Sequence, residues 1–286
     1  MALRRLTGLQ SLINMQNTHP HLIHQVSYGE GHVSWHEFGV ANQDDPPLIL
    51  LHGGHGSWEH WYRNIEELAK RFHVFAPDMP GFGESSFVDS QFQAGIVDPL
   101  IATINDLIGE QTVIHIAGFS FGGFVAAHLA NQRSGIAKLA LLGSAGHGGP
   151  RRPKGELLAW KEIHVSGNAQ DLAEVMRENL YQQMLSSYDR VDDLAIRIHQ
   201  DACVATRFKS KPIARPGGLA EQLASYLGPA LLIWGEHDIT CTPEYLVERL
   251  VDGKNNRAKE IILDAGHWVQ YEKADQINQS LIAWFK

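Results

Sequence analysis

Short apolar runs rich in Val, Ile and Leu alternate along this chain with longer amphipathic stretches. The pattern is typical of a parallel β-sheet covered by helices, because a strand buried on both faces is apolar throughout. It predicts an α/β fold, a mostly parallel twisted sheet with helices on both faces. A hairpin at 24–28 and 32–38 comes first, and the later strands are expected at 47–51, 73–76, 112–117, 137–142, 230–234 and 259–263. Helices are expected at 58–70, 91–107, 121–132 and 274–286.

One long stretch interrupts the alternation after the sixth strand. Residues 146–227 contain no convincing buried strand but show helical patterns near 156–164, 172–185 and 194–208. A helical insertion between two strands is expected to lie as a lid over the carboxyl edge of the sheet. The predicted organisation is therefore a core formed by 1–145 and 228–286, and a helical lid formed by 146–227.

Composition excludes several classes of protein. The 286 residues include 24 Lys and Arg against 32 Asp and Glu, a net charge of −8, and no basic tract, so neither nucleic acid nor an anionic membrane is an expected partner. Two cysteines do not make a disulfide framework. Residues 1–17 lack the continuous apolar stretch of a signal peptide, and no apolar run approaches the roughly 20 residues that span a bilayer. We expect a cytoplasmic protein that acts on a small molecule. The sequence leaves open whether the chain forms a homodimer.

The motif that carries most chemical information is Gly118-Phe119-Ser120-Phe121-Gly122. It follows a predicted strand and precedes a predicted helix, which is the context that gives G-x-S-x-G its meaning. The two glycines permit a sharp strand-to-helix turn that exposes the serine hydroxyl at the edge of the sheet. Ser120 is therefore the candidate nucleophile.

A serine nucleophile needs a base and an orienting acid, here expected in the order Ser, acid, His. His267 lies in a loop after the last predicted strand, which places it at the same edge as Ser120. The preceding strand is followed by Glu236 and Asp238, and Asp238 falls at the loop tip. Glu236 is the competitor, and Asp264 is expected still to lie on its strand. The predicted catalytic set is Ser120, Asp238 and His267.

The loop His52-Gly53-Gly54-His55-Gly56 follows another strand and can present backbone amides to a developing oxyanion. We predict that the N–H groups of Gly54 and Phe121 form the oxyanion hole. The nearby histidines match no metal-ligand spacing, so no metal is expected. The glycines at 146–149 fail the dinucleotide pattern because its third glycine is Arg151, so no cofactor is expected.

Together these residues resemble the α/β-hydrolase superfamily over 47–144 and 230–286. Within it, the chain is similar to the meta-cleavage-product hydrolases, which cut a carbon–carbon bond in vinylogous diketone acids formed during aromatic degradation. The similarity rests on the runs 52–54, 61–64, 120–123 and 266–270.

The resemblance implies a substrate-binding role for Trp268, and for Arg197 or Arg207 as partners of a substrate carboxylate. Phe119 and His60 stand where that family usually has asparagine. These departures leave a carboxylesterase or lactonase of the same fold as an alternative, and a non-catalytic ligand-binding scaffold as a second. The lid is expected to wall an apolar acyl pocket with Leu157, Leu158, Trp160, Leu180, Met184 and Leu185.

Overall fold

The structure is a computed structural model that describes residues 21–40 and 45–286. The N-terminal segment 1–17 lies outside the described residues. Within them, eight strands form one sheet in the order β1-β2-β4-β3-β5-β6-β7-β8. The first two pairings are antiparallel and the remaining five are parallel. The strands are β1 His21–Tyr28, β2 Gly31–Phe38, β3 Leu48–Leu51, β4 Val74–Asp78, β5 Ile114–Phe119, β6 Ile136–Leu142, β7 Ala230–Gly235 and β8 Arg257–Ile262.

Helices cover both faces of this sheet, as the alternation predicts. The helices of the core are α1 Tyr62–Ala69, α2 Asp98–Ile108, α3 Phe121–Gln132, α9 Pro243–Leu250, α10 Val269–Glu272 and α11 Ala274–Phe285. Short turns of other helical geometry precede two of them, a 3-10 turn at Trp58–Trp61 and a π-helical turn at Gln93–Val97. The predicted helices 58–70 and 91–107 therefore each begin with an irregular turn.

The buried strand β3 shows how the sheet divides the core. Leu48 and Leu50 belong to the hydrophobic cluster on one face, which includes residues of α1 and α11, whereas Ile49 and Leu51 belong to the cluster on the other face, which includes residues of α2, α3 and α9. All four side chains are fully buried. Because successive side chains of a strand point to opposite faces, a run of four apolar residues is what a sheet covered on both sides requires. The expected α/β fold, a mostly parallel sheet with helices on both faces, is confirmed.

A helical segment joins β6 to β7. Its helices are α4 Lys161–Ser166, α5 Ala169–Gln183, α6 Asp193–Ala205, α7 Lys211–Ala214 and α8 Leu219–Ser225. Helix α4 begins at residue 161, later than the start near 156 that the sequence predicts, and residues 156–160 are irregular. The Arg207 N–H donates to Gly81 O at 2.8 Å, and the Trp268 N–H donates to Met184 O at 2.8 Å. The inserted segment (residues 146–227) is thus hydrogen-bonded to loops at the carboxyl edge of the sheet.

None of the helices in the described residues combines the length and apolar character needed to cross a membrane.

Candidate active site

Ser120 occupies a strained turn between β5 and α3. Its backbone has φ 52° and ψ −113°, a conformation that a residue with a side chain rarely adopts. A Cβ atom on Gly118 would lie 2.4 Å from the Gly122 carbonyl oxygen, and one on Gly122 would lie 2.4 Å from Leu51 O. The two glycines of the motif are therefore required by close backbone approach, and they let the turn present the Ser120 hydroxyl at the sheet edge.

The His267 ring lies between the serine and a carboxylate. Its Nε2 is 3.0 Å from Ser120 Oγ, and its Nδ1 is 2.9 Å from Asp238 Oδ2. A Cβ atom on Gly143, the residue after β6, would approach the His267 ring to 3.0 Å, so that glycine leaves room for the imidazole. The structure therefore brings the three predicted catalytic side chains into one chain of hydrogen bonds.

Asp238 is completely buried, and both of its carboxylate oxygens have hydrogen-bond partners. Oδ1 accepts hydrogen bonds from the Thr240 N–H at 2.8 Å and from the Thr240 hydroxyl at 2.7 Å. Burial alone would raise the pKa of Asp238, but the adjacent His267 charge and the hydrogen bonds from His267 and Thr240 hold it below its usual value. Asp238 is thus kept ionised. Thr240 was not predicted from the sequence, although acceptance from the N–H two residues later is common for Asp in turns.

The two other carboxylates considered from the sequence lie elsewhere. Glu236 is exposed and accepts a hydrogen bond from the Asp264 N–H. Asp264 is not on its strand as expected, because β8 ends at Ile262 and the residue adopts a left-handed turn with φ 53°. Its side chain is exposed and pairs with Arg190 and Lys273. Neither carboxylate contacts the His267 ring.

A cavity of about 360 Å³ opens directly beside Ser120 and His267. We call it the catalytic cavity. Gly54, Phe119 and Phe121 line it, together with the backbone after β6 and the start of α7. Phe121 is the first residue of α3, so its N–H has no carbonyl one turn earlier to bind. The two residues predicted for the oxyanion hole therefore share one cavity wall with the serine.

The charges around the catalytic cavity were not predicted from the sequence. Arg151, Lys211 and Arg215 line it, and no Asp or Glu does. All three are solvent-exposed, which places them at the mouth, and within the described part of the chain none forms an ion pair. Partial burial and the neighbouring arginines lower the pKa of Lys211. An acidic protein thus has a cationic mouth at this cavity.

A second cavity of about 390 Å³ adjoins the first and shares Gly54, His55, Gln183, Met184 and Lys211 with it. We call it the apolar cavity, because Leu157, Leu158, Trp160, Met184 and Cys203 contribute to its wall. Of the six apolar residues expected there, Leu180 and Leu185 instead pack in the hydrophobic core.

Two aromatic residues predicted to bind substrate lie behind the cavity wall. Trp268 is fully buried, stacks on Tyr271 with ring centroids 4.2 Å apart and lines neither cavity. His60 is also buried, and its Nδ1 accepts a hydrogen bond from the Gly53 N–H at 3.1 Å. These placements correct the expectation, because both side chains support the loops around the site from within the core. Phe119 does line the catalytic cavity.

The two arginines expected to bind a substrate carboxylate also lie away from both cavities. Arg197 forms a bidentate pair with Glu59 at 2.7 and 3.1 Å. Arg207 donates to the carbonyl oxygens of Gly83 and Ser85 and so fastens the inserted segment to the loop after β4. Their guanidinium groups are committed to structural partners, which corrects the expectation for both residues.

In residues 21–40 and 45–286 we find no group of three or more His, Cys, Asp or Glu side chains that could hold a metal ion.

Residues 46–274 match the family model of the alpha/beta hydrolase fold, so the chain belongs to this family and is a hydrolase. It is 28% identical over 250 residues to a 2-hydroxy-6-oxononadienedioate/2-hydroxy-6-oxononatrienedioate hydrolase of Paraburkholderia phymatum, covering 82% of this chain and 85% of that protein. A meta-cleavage product hydrolase from Pseudomonas fluorescens superposes with a TM-score of 0.68 at 23% identity, covering 89% of this chain and 94% of that one. The resemblance to meta-cleavage-product hydrolases is thereby confirmed.

Another relative has a different name. A dihydrolipoyllysine-residue acetyltransferase component of an acetoin cleaving system from Pseudomonas putida is 31% identical over 261 residues. The match covers 88% of this chain but only 66% of that protein.

Proposed function

We propose that the chain is a serine hydrolase that cleaves a carbon–carbon bond next to a ketone in an acidic substrate of the meta-cleavage-product type. The observation that carries the proposal is the hydrogen-bonded position of the His267 ring, 3.0 Å from Ser120 Oγ and 2.9 Å from Asp238 Oδ2. The relatives supply the reaction class, because the Paraburkholderia hydrolase matches most of both chains.

The chemistry follows from the hydrogen bonds. Ser120 Oγ attacks the substrate carbonyl while His267 Nε2 accepts the hydroxyl proton, and Asp238 holds the imidazole in the required tautomer. The N–H groups of Gly54 and Phe121 stabilise the oxyanion of the tetrahedral intermediate. His267 Nε2 returns the hydroxyl proton to the carbon leaving group as the carbon–carbon bond breaks, which leaves an ester on Ser120. Water, deprotonated by His267, then attacks this ester and releases the acid.

Charge supports an anionic substrate. The mouth of the catalytic cavity carries Arg151, Lys211 and Arg215 and no carboxylate, although the whole chain has a net charge of −8. A local positive potential attracts and orients a carboxylate, whereas it contributes little to a neutral ester. We assign to these three cations the carboxylate-binding role that the family resemblance implies for Arg197 or Arg207.

The apolar cavity supports a substrate with one apolar end. Leu157, Trp160 and Met184 would contact an alkyl or aryl group extending from the carbonyl at Ser120. These residues belong to the inserted segment, and residues of the core complete both cavities. The inserted segment would therefore act as a lid, with the core and lid divided at 146 and 227.

A carboxylesterase or lactonase of the same fold is the second candidate. Phe119 favours it, because an apolar ring lies in the cavity wall where the meta-cleavage-product hydrolases usually have asparagine. A non-catalytic scaffold is the third candidate. The strained Ser120 turn and the buried Asp238 argue against it, since both are costly features that a binding site does not need.

Parallel assays separate these candidates. Purified protein is given a 2-hydroxy-6-oxo-dienoic acid with an apolar 6-substituent, the methyl ester of the same acid, and p-nitrophenyl esters of several chain lengths. We expect kcat/KM to be highest for the free acid, and Ser120→Ala to abolish turnover. The methyl ester keeps the scissile bond but lacks the anion, so equal rates for acid and methyl ester would contradict the role of the cationic mouth. Turnover of the p-nitrophenyl esters alone would establish the esterase.

A further inference from the structure

Two buried histidines hold the loop that carries Gly54. The Gly53 N–H donates to His60 Nδ1 at 3.1 Å, and His52 Nδ1–H donates to Gly53 O at 2.8 Å. The peptide bond is planar and trans, so the direction of the Gly53 carbonyl also determines the direction of the Gly54 N–H. The peptide groups on both sides of Gly53 are therefore oriented by imidazole rings.

These partners determine how each ring is protonated. His52 Nε2 accepts the Met79 N–H at 2.9 Å, so its single proton is on Nδ1. His60 Nδ1 is an acceptor, so its proton is on Nε2. Burial, followed by the nearby His52, holds the pKa of His60 well below its usual value, which keeps the ring neutral and able to accept.

His60 also contacts the loop that carries the catalytic histidine. The Trp268 indole N–H donates to His60 O at 3.0 Å, and the two rings lie 5.0 Å apart. Trp268 directly follows His267. One residue thus connects the loop of the predicted oxyanion hole to the loop of the predicted base.

This arrangement leaves one polar atom unpaired. His60 Nε2 is buried and has no hydrogen-bond partner. An unpaired buried donor costs on the order of 1–3 kcal/mol, so an apolar side chain would be preferred if the site needed only packing. Since His60 lines neither cavity, direct substrate contact does not account for the ring.

We infer that His60 is a positioning residue: its ring fixes the His52–Gly53 peptide, and with it the backbone of Gly53 from which the Gly54 N–H faces the oxyanion. The inference rests on the proposed function of Ser120, Gly54 and His267. It differs from a purely structural role because it predicts a loss of kcat at unchanged KM.

The test compares His60→Leu with His60→Asn. The Asn side-chain oxygen can accept the Gly53 N–H in place of Nδ1, whereas Leu cannot. For whichever substrate the wild type hydrolyses, we expect Leu to lower kcat about 10- to 100-fold, somewhat less than the loss of an oxyanion donor, with KM within about twofold. Asn should restore most of kcat. His128→Leu is the matched control, because His128 also has a buried, unpaired Nε2 but lies on α3, where its ring packs against Phe92 and Phe124.

A second readout does not depend on the substrate. The rate at which a fluorophosphonate labels Ser120 requires the nucleophile and the oxyanion hole but no natural substrate, so it should fall in parallel with kcat in His60→Leu. If the wild type is labelled but hydrolyses no offered substrate, the proposed substrate is wrong while the labelling rates still test His60. Equal kcat and labelling rates in His60→Leu and wild type would overturn the inference, as would an identical loss in His128→Leu.

If His60→Leu does not fold, Gly56→Ala tests the positioning role of His60 instead. A Cβ atom at position 56 would lie 2.3 Å from His60 Cε1 and 2.7 Å from Gly53 O, so the ring, the Gly53 carbonyl or both must shift. The inference predicts a lower kcat at unchanged KM for this variant, and an unaltered kcat would contradict it.

Discussion

His267 Nε2 lies 3.0 Å from Ser120 Oγ, although the two residues are 147 positions apart in the chain. The contact exists because β5 and β8 are parallel strands of one sheet, so the loops after them meet at the same edge. Activity should therefore depend on this geometry and on the charges around it.

Asp238→Asn should lower kcat by about 10⁴, as expected for loss of the residue that holds the histidine tautomer. Glu236→Gln, the matched neighbour in the same loop, should retain wild-type activity because its side chain is exposed. Steady-state kinetics with the substrate that the wild type accepts measures both. A larger loss in Glu236→Gln would assign the acid to the other carboxylate.

Thr240→Val should raise the pKa of Asp238, because the variant loses the hydroxyl that donates to Oδ1 at 2.7 Å. A carboxylate with one fewer hydrogen-bond donor interacts more strongly with the protonated His267 ring, which must lose its proton to act as the base, so the acidic limb of the kcat–pH profile should move to higher pH. Thr240→Ser, which keeps the hydroxyl, is the control. Superimposable profiles for Val and Ser would argue against this role of Thr240.

Replacing Arg151, Lys211 or Arg215 by Gln should raise KM for the free acid about two- to fivefold each, the amount expected for exposed ion pairs. The same variants should leave the methyl ester unaffected, and added salt should reduce the difference between wild type and variants. Lys254→Gln is the control, because it removes the same charge at a residue that lines neither cavity. A KM increase shared by acid and ester would indicate a loss of structure.

Asp78 should make stability depend on pH. It is buried behind Trp58 and accepts the N–H groups of Trp58 and Glu84, each at 2.9 Å, and burial raises its pKa to about 6. Because the folded state binds this proton more tightly than the unfolded state, the free energy of unfolding should fall as pH rises from about 4 to 6, by about 3 kcal/mol at most. Urea unfolding across this range should show a flatter profile for Asp78→Asn. Equal slopes would place the pKa of Asp78 near its ordinary value.

The predicted strands and the proposed catalytic residues follow from the same pattern in the sequence. Buried parallel strands are short apolar runs, so the sequence predicts β3, β5 and β7 to within two residues of their ends, and Ser120 and Asp238 each come soon after such a run. His267 follows β8, an edge strand that is mostly not buried. The loops at the carboxyl ends of parallel strands all lie at one edge of the sheet. The position of each of these residues after a strand therefore predicts that all three lie at the same edge of the sheet.

The pattern of apolar strands does not predict the positions of residues that depend on the inserted segment. Arg151 lies in an irregular loop, and Lys211 lies on a four-residue helix. The two residues are 60 positions apart, and no periodic pattern in the sequence predicts that they line the same cavity. Nor could the sequence show that Arg197 is paired with Glu59. Nor does the sequence around Asp264 show that β8 ends at Ile262 and that Asp264 itself adopts a left-handed backbone.

Ser120 is the proposed nucleophile, and the other assignments depend on it. Its most direct test is fluorophosphonate labelling of folded protein, with the modified residue located by mass spectrometry, together with turnover by Ser120→Ala. We predict one label, on Ser120, and a fall in kcat of about 10⁶ in the variant, since the triad acts as a unit. Labelling at another residue, or a Ser120→Ala variant that hydrolyses substrate at the wild-type rate, would contradict the account.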